Sequence, residues 1–354
     1  MLQPVVSVII PLFNRKDLIE ETLQSVVDQT FQNWEAIVVD DGSTDHSCEI
    51  VKKWAKRDSR IQLVERNREP KGAPTCRNIG FKLAKGQYVV FLDSDDLLAS
   101  FCLEQRIPLI DSQPAIDFLV FPIVLFQQER YDLLKLWNIE TQENTLLRFL
   151  KTDALWQTMG PIYRKSSLIK LPYLFDEQLA YWQDYDLHLR ILFSGMTYKF
   201  MSTHVPDCYH RRHQNTISQS GKTSPMIIQS RLKVLQKTGE ILVKNKYEKI
   251  YLNNYKKTLI TTGFFELRYS GGHLVYLRLL IKYTLSGIFT VYDFCLLLIK
   301  LSLPRLYSIK LLRKFIEKTD KKIRQRYSLR VLTAQIDVPD YETRILKNND
   351  PYKK

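Results

Sequence analysis

The sequence lacks the signatures of several large function classes. It has five cysteines, Cys48, Cys76, Cys102, Cys208 and Cys295, an odd number without a CxxC pair. A disulfide framework or a zinc knuckle is therefore not expected, and a reducing compartment is. No GxGxxG follows the first apolar run and no GxxxxGK[ST] occurs anywhere, so dinucleotide-dehydrogenase and P-loop readings lose their main support. No uncharged apolar run approaches the roughly 18 residues that a spanning helix needs. In the most apolar stretch, Leu274–Leu303, the residues Arg278, Lys282, Asp293 and Lys300 interrupt. The N-terminus has no basic segment followed by a long apolar one, because Pro4 and Ser7 break it, and no secretory signal is expected. No aromatic-plus-basic RNA motif accompanies the basic residues, so nucleic acid is not an expected partner.

What is present fits a folded chain with an uneven charge. Of 354 residues, 45% are apolar and 25% charged, with a net charge of +14. Residues 221–354 hold 27 Lys/Arg against 10 Asp/Glu, whereas residues 1–220 hold 25 against 28. A basic module is thus attached to a near-neutral one, and an anionic membrane surface is a natural partner for it.

Strand and helix patterns alternate through the first hundred residues. Val5–Ile10 reads as a buried strand ended by Pro11-Leu12-Phe13-Asn14, with Asn14 expected to cap a helix that has Asp17 in its first turn. Ile19, Leu23, Val26 and Val27 give that helix one apolar face. Glu35–Val39 is a second strand ending in Asp40 and Asp41, and Ile61–Val64 a third. A helix over Arg77–Lys85, closed by Gly86, precedes the apolar run Tyr88–Leu92. This alternation predicts a doubly wound parallel sheet, with two strands delivering aspartates to one edge as in a nucleotide-binding crevice. Further on, Ile116–Leu125 reads as a strand and Leu187–Phe193 as a helix closed by Gly195.

The run Tyr88–Leu92 ends abruptly in Asp93, Ser94, Asp95 and Asp96. Carboxylates so crowded repel one another unless something cationic shares the site, and hard oxygen donors suit Mg2+ or Mn2+. The same letters also suit an acidic turn that caps the next helix.

Taken in order, these segments resemble family-2 glycosyltransferases, the inverting nucleotide-sugar enzymes of the GT-A fold, over roughly residues 1–220. The resemblance rests on Ser7–Asn14, on Val38-Val39-Asp40-Asp41-Gly42-Ser43, on Arg77-Asn78-Ile79-Gly80, on Phe91–Asp96 as the family's DxD region, on Gln183-Asp184, and on Arg211 to Ser218. It implies nucleotide-sugar binding by Pro11, Phe13, Asn14, Asp41, Arg77, Asp93 and Ser94. Phe13 would stack on the base, Asp41 would accept a hydrogen bond from it, Asp93 would contact the ribose, and Arg77 would help neutralise the diphosphate. Asp95 and His213 would bind Mn2+ or Mg2+. Asp184 would be the general base, although the bland reading of an aspartate there is a helix cap; its place near a helix N-terminus is expected to favour the ionised form. The sequence departs from the family at Gln183, where a Glu is usual, and at His210, where many relatives carry Tyr. That leaves a catalytically degenerate nucleotide-sugar-binding or scaffold protein as the alternative to an enzyme.

The expected organisation is a catalytic domain over residues 1–220, a basic helical region over 221–340 and a flexible tail over 341–354. Met226–Lys257 and Lys256–Tyr269 read as helices. The helical region suits either a soluble bundle or interfacial helices on anionic lipid, the latter supported by the basic run Lys310–Arg330. A cytoplasmic enzyme, peripheral on the inner face of a membrane, with a glycan or lipid-linked acceptor, is the expectation that results.

Overall fold

The computed structural model describes residues 3–130, 132–133, 135–138, 140, 142–212, 224–270 and 273–302. His213, Ser218, Pro304, Pro339, the run Lys310–Arg330 and the expected tail lie outside the described residues. The chain divides into two compact units, one containing residues 3–142 and 154–212, the other residues 143–153 and 224–302.

In chain order the first unit begins with β1 (Val6–Leu12), α1 (Ile19–Val27), β2 (Trp34–Asp40), α2 (Ser47–Arg57), β3 (Ile61–Glu65), α3 (Ala73–Leu83) and β4 (Tyr88–Phe91). It continues with β5 (Leu97–Leu98), α4 (Cys102–Asp111), β6 (Phe118–Val120), β7 (Ile123–Phe126) and β8 (Lys135–Trp137). After α5 (Thr145–Leu150), which belongs to the other unit, come β9 (Pro161–Arg164), α6 (Lys165–Leu168), α7 (Gln183–Phe193), β10 (Tyr198–Phe200) and β11 (Cys208–Arg211).

The main sheet has seven strands in the order β10-β6-β9-β4-β1-β2-β3. All its pairs are parallel except those of β9, which runs antiparallel to both neighbours. The strands of the first hundred residues, β1 to β4, pair in parallel as expected, and β9 makes the sheet as a whole mixed. Strand order reverses at β1, with β2 on one side and β4 on the other, and ligands of open α/β sheets bind at the carboxyl ends beside such a switch point. A second sheet, β5-β11-β7-β8, stands next in the unit, with β11 parallel to β7.

Local departures from the sequence pattern have identifiable causes. The run 116–125 is not one strand: it breaks at Phe121-Pro122, giving β6 to the main sheet and β7 to the second. Proline offers no N–H to a ladder, which makes this the place to leave one sheet for another. Helix α3 ends at Leu83 with Ala84 as its cap, so Gly86 is not the stop signal. Gly86 instead lies against β1, where a Cβ would come 2.6 Å from the Ser7 nitrogen. Asn14 does not cap α1, which starts at Ile19 after Leu18, and takes a left-handed backbone at φ 49° instead.

A fully buried ion pair joins α4 to the segment before β11. Arg106 donates from Nε to Asp207 Oδ2 at 2.8 Å and from Nη2 to Oδ1 at 2.6 Å, while Nη1 donates to the Met159 carbonyl at 2.9 Å. Both side chains are wholly excluded from solvent. Charges so placed tolerate burial because their hydrogen-bonding capacity is matched.

The second unit contains α5 and four further helices, α8 (Pro225–Lys244), α9 (Lys249–Ser270), α10 (His273–Leu285) and α11 (Val291–Ser302). The expected helix 226–257 is two, parted by a turn in which Lys246 sits at φ 53°. Tyr255 and Tyr283 meet edge to face and donate their hydroxyls to the carbonyls of Leu235 and Gln236 on α8. Gly239 makes room for both hydroxyls, since a Cβ there would lie 2.3 Å from that of Tyr283. Among the described residues, no helix is long and apolar enough to cross a membrane.

Removing one partner of the buried pair exposes its importance. Arg106→Ala leaves Asp207 uncompensated and is expected to cost roughly 3–5 kcal/mol in urea denaturation, whereas the double change Arg106→Met/Asp207→Leu recovers most of that loss.

Candidate active site

The carboxyl ends of β1, β2 and β4 converge through side-chain bonds that the sequence pattern did not reveal. The Asn14 amide N–H donates to Ser43 Oγ at 3.0 Å, and Asn14 Oδ1 accepts from the Thr44 N–H at 2.8 Å. These two bonds fasten the loop after β1 to the loop after β2, and the left-handed backbone of Asn14 turns the chain to allow them. Pro11 lies within β1, in register with Val39. Phe13, next in line, leaves 41% of its surface exposed, so it is a surface ring at the strand end and not a core residue. The Lys71 ammonium sits 3.8 Å from the centre of that ring.

Asp41 is buried at the end of β2. Its Oδ1 accepts from Arg66 Nε at 2.6 Å and from the Gly72 N–H at 3.0 Å. The neighbouring Cys76 thiol is pushed up to about 12 by burial and then by Asp41, and so stays protonated beside that carboxylate. Asp40 serves its own turn, accepting from the N–H groups of Gly42 at 2.9 Å and Ser43 at 3.0 Å. All five cysteines are free thiols.

The acidic run after β4 divides among separate cations. Asp93 accepts from Arg77 Nη2. Asp95 pairs with Arg15 at 3.5 Å. Asp96 is turned inward, accepting from the Arg211 N–H at 2.8 Å and meeting His210 Nδ1 at 3.1 Å. Burial raises the Asp96 pKa, against the pull of His210. Burial also acts to lower the His210 pKa, but the adjacent Asp96 carboxylate outweighs it and the net direction is upward. The crowding of carboxylates is thus relieved by three different partners. Ser94 is buried between Asp93 and Asp95.

Arg77 joins this run to α7. Its side chain is 6% exposed, and Nη1 donates to Gln183 Oε1 at 2.7 Å while Nη2 holds Asp93. Gln183 is the first residue of α7 and Asp184 the second; the cap position belongs to Trp182, in the left-handed region at φ 59°. Asp184 is therefore not the helix cap. Its Oδ1 accepts from the Tyr185 N–H at 2.8 Å. Burial nonetheless raises the Asp184 pKa, overriding that bond and the attraction of Arg77. The downward shift expected at a helix N-terminus is reversed in direction, because desolvation of a carboxylate exceeds what one N–H and a partial helix charge return.

The structure therefore gathers Arg77, Asp93, Gln183 and Asp184 in one place and ties Phe13 and Asn14 to the loop after Asp41. His213 lies outside the described residues, and among those described no three His, Cys, Asp or Glu side chains form a group able to hold a metal ion. Sequence reasoning missed Arg15, Arg66 and Lys71. Their signal was weak, since isolated basic residues in loops carry no periodicity.

Comparison with known proteins places these observations. The model of Glycosyl transferase family 2 matches residues 7–171. The chain is similar to the UDP-Glc:alpha-D-GlcNAc-diphosphoundecaprenol beta-1,3-glucosyltransferase WfaP of Escherichia coli, 31% identical over 233 residues, spanning 64% of this chain and 84% of that protein. It is 45% identical over 105 residues to the putative teichuronic acid biosynthesis glycosyltransferase TuaG of Bacillus subtilis, of whose length the match covers 41%. In fold it resembles S. aureus TarS 1-349 in complex with UDP-GlcNAc, with a TM-score of 0.63 at 20% identity, over 91% of this chain and 92% of that one. The E. coli relative is more than 30% identical and is covered over 84% of its length, and the chain is accordingly a glycosyltransferase belonging to family 2, on a GT-A-type sheet.

Proposed function

We propose that this glycosyltransferase moves a sugar from a nucleoside-diphosphate donor to a hydroxyl of a glycan or lipid-linked glycan, with inversion, using Asp184 as general base. The observation that carries the reading is the double grip of Arg77, which holds Asp93 at the end of β4 and Gln183 at the start of α7. In this reading a donor lies along the strand ends with its anomeric carbon next to Asp184, one residue beyond the Gln183 that Arg77 holds.

Phe13 offers the base a ring face and Asp41 an acceptor oxygen. Asp93 meets the ribose, with Pro11, Asn14 and Ser94 shaping the loops around it. Arg77, and Arg15 beside Asp95, bring positive charge to the diphosphate. Asp184 takes the proton from the acceptor hydroxyl as that oxygen forms its bond to the anomeric carbon. The bond from that carbon to the diphosphate oxygen breaks, and its electron pair leaves with the nucleoside diphosphate. Attack from the opposite face inverts the centre. A raised pKa makes Asp184 a stronger proton acceptor than an ordinary aspartate. The hard oxygens of Asp95 fit Mn2+ or Mg2+, which needs only one or two carboxylates beside substrate phosphates; His213 is a further candidate ligand. Such an ion, when bound, supplies Lewis-acid charge to the leaving diphosphate.

For the acceptor we favour a polyprenyl-diphosphate-linked sugar, the class named for the E. coli relative, with residues 1–220 as the catalytic domain and residues 221–340 reaching an anionic membrane face from the cytoplasmic side. Helix α10 supports this. Leu279, Leu280 and Tyr283 are buried, while Leu274, Arg278, Ile281 and Leu285 recur at helical spacing on the opposite, exposed face. Val291 and Tyr292 add exposed apolar surface at the start of α11.

Three outcomes are expected. Asp184→Asn should lower transfer by at least about 100-fold while leaving the nucleotide-sugar affinity within about threefold; retained turnover would remove Asp184 as the base. Because its carboxylate must be ionised, kcat/KM should decline as pH falls through the raised pKa, so the acidic limb lies above the usual aspartate range. The same shift means that ionised Asp184 opposes folding above the ordinary aspartate pKa, so the Asn variant should melt no lower than the parent at pH 7. Second, isothermal titration of the full chain with UDP, GDP, CDP and dTDP should detect one preferred nucleotide, its affinity raised by Mn2+ and that increment lost in Asp95→Ala. Folded protein that binds none and transfers nothing would favour a scaffold. Third, the full chain should sediment with phosphatidylglycerol vesicles, and Leu274→Glu/Leu285→Glu or 0.5 M salt should weaken this by about tenfold.

A further inference from the structure

Immediately before the proposed base lies an aromatic surface for which the transfer chemistry has no use. Tyr181 and Trp182 stack with ring centres 6.4 Å apart and planes inclined by 23°, and Trp182 packs on Tyr185 at 4.7 Å. Tyr185 is buried and forms the floor, whereas Tyr181 and Trp182 are only half-buried. The backbone N–H of that same Tyr185 donates to Asp184 Oδ1 at 2.8 Å, so floor and carboxylate are mechanically one piece. The Trp182 backbone is left-handed, φ 59° and ψ 27°, a conformation that a bulky side chain adopts only at a cost in free energy. Gly or Asn would cap this helix without that strain. Such strain, held at a half-exposed indole two residues from a proposed base, is the pattern of a residue kept for its side chain.

We infer that Tyr181 and Trp182 form the acceptor subsite, and that the acceptor residue they select is a pyranose, with its C–H-bearing face laid on the aromatic surface. The chemistry follows from the ring quadrupole. An aromatic face is negative and attracts weakly positive C–H edges. A pyranose presents several such C–H groups together on one rigid face and keeps its hydroxyls at the rim, where one can point to Asp184. An open-chain alditol has no rigid apolar face, and holding it flat would cost rotational entropy. The platform therefore favours a ring sugar over an alditol phosphate chain as the receiving end. This inference rests on the function proposed above, since it takes Asp184 as the residue that meets the acceptor.

Binding is the test, because it is independent of turnover. Saturation-transfer-difference NMR on the full chain, irradiating aromatic protons, would use methyl N-acetyl-β-D-glucosaminide and ribitol as probes. Ring C–H protons of the glucosaminide should receive saturation and those of ribitol at least about fivefold less. Trp182→Gly, which eases the backbone while removing the indole, should abolish the signal, and Trp182→Phe should keep part of it. A signal unchanged in Trp182→Gly, no signal at all, or equal signals from both probes would overturn the inference. In parallel, transfer from UDP-glucose to a polyprenyl-diphosphate-linked N-acetylglucosamine should show acceptor KM raised about tenfold or more in Trp182→Gly and donor KM unchanged. Equal rises in both constants would also overturn it. Absence of transfer by the parent protein, with the NMR signal intact and indole-dependent, would instead count against the proposed reaction and leave the sugar platform standing.

Discussion

A single buried guanidinium sets the geometry of this site. Arg77 leaves α3 with almost no solvent contact and uses two of its nitrogens on two different elements, Asp93 after β4 and Gln183 at the first position of α7. A planar fork fixes direction as well as distance, which a lysine ammonium cannot do. The result is that a strand end and a helix start, about ninety residues apart in sequence, are held in one orientation. Gln183 contributes an acceptor oxygen without charge, so Asp93 carries the ionic half of the grip alone. A glutamate at that place would leave the same guanidinium between two carboxylates and reduce the positive charge it can present to a phosphate.

Electrostatic partition is the second constraint. The acidic run after β4 is a cluster in sequence but not in function: Asp93 faces Arg77, Asp95 faces Arg15, and Asp96 faces inward to His210 and the Arg211 backbone. The inward carboxylate ties the loop to β11 and so carries the second sheet's register to the site. The outward two are left at the strand end, where their charge is useful. Burial first, helped by the charge of Asp93, raises the affinity of Asp184 for a proton in the first turn of a helix whose terminus would lower it.

Much of this was legible in the sequence, and the limits have physical causes. The buried strands β1, β2 and β4 announce themselves because a strand covered on both faces must be a continuous apolar run, and the aspartates at the ends of β2 and β4 stand out against it. Ordered motifs carried the family. By contrast, the break at Pro122 was hidden inside a mostly apolar ten-residue run that read equally well as one strand, since periodicity does not say to which sheet a segment belongs. The start of α1 was misplaced because Asn14 has the letters of a helix cap and spends its side chain on the Thr44 N–H instead. The bonds of Arg66, Arg15 and Lys71 are long-range and leave no local trace. The raised pKa of Asp184 could not be read from its place near a helix start, because burial is a property of the folded chain.

Gly86 gives the fold an asymmetry in how it can vary. With its backbone pressed on Ser7 and its N–H bound to Ser7 Oγ, the link from α3 to β4 has no slack, and the ends of β1 and β4 stay level. Chain length cannot be added there without sliding one strand past the other and turning its aspartates to the wrong face. The segment between β3 and α3 is held mostly through side chains: beyond the Arg66 N–H on the Asp40 carbonyl, Arg66, Arg68 and Lys71 reach Asp41, Glu177 and the Phe13 ring. Diversity among enzymes built on this sheet should therefore accumulate after β3, beside the ring of Phe13, and be nearly absent before β4.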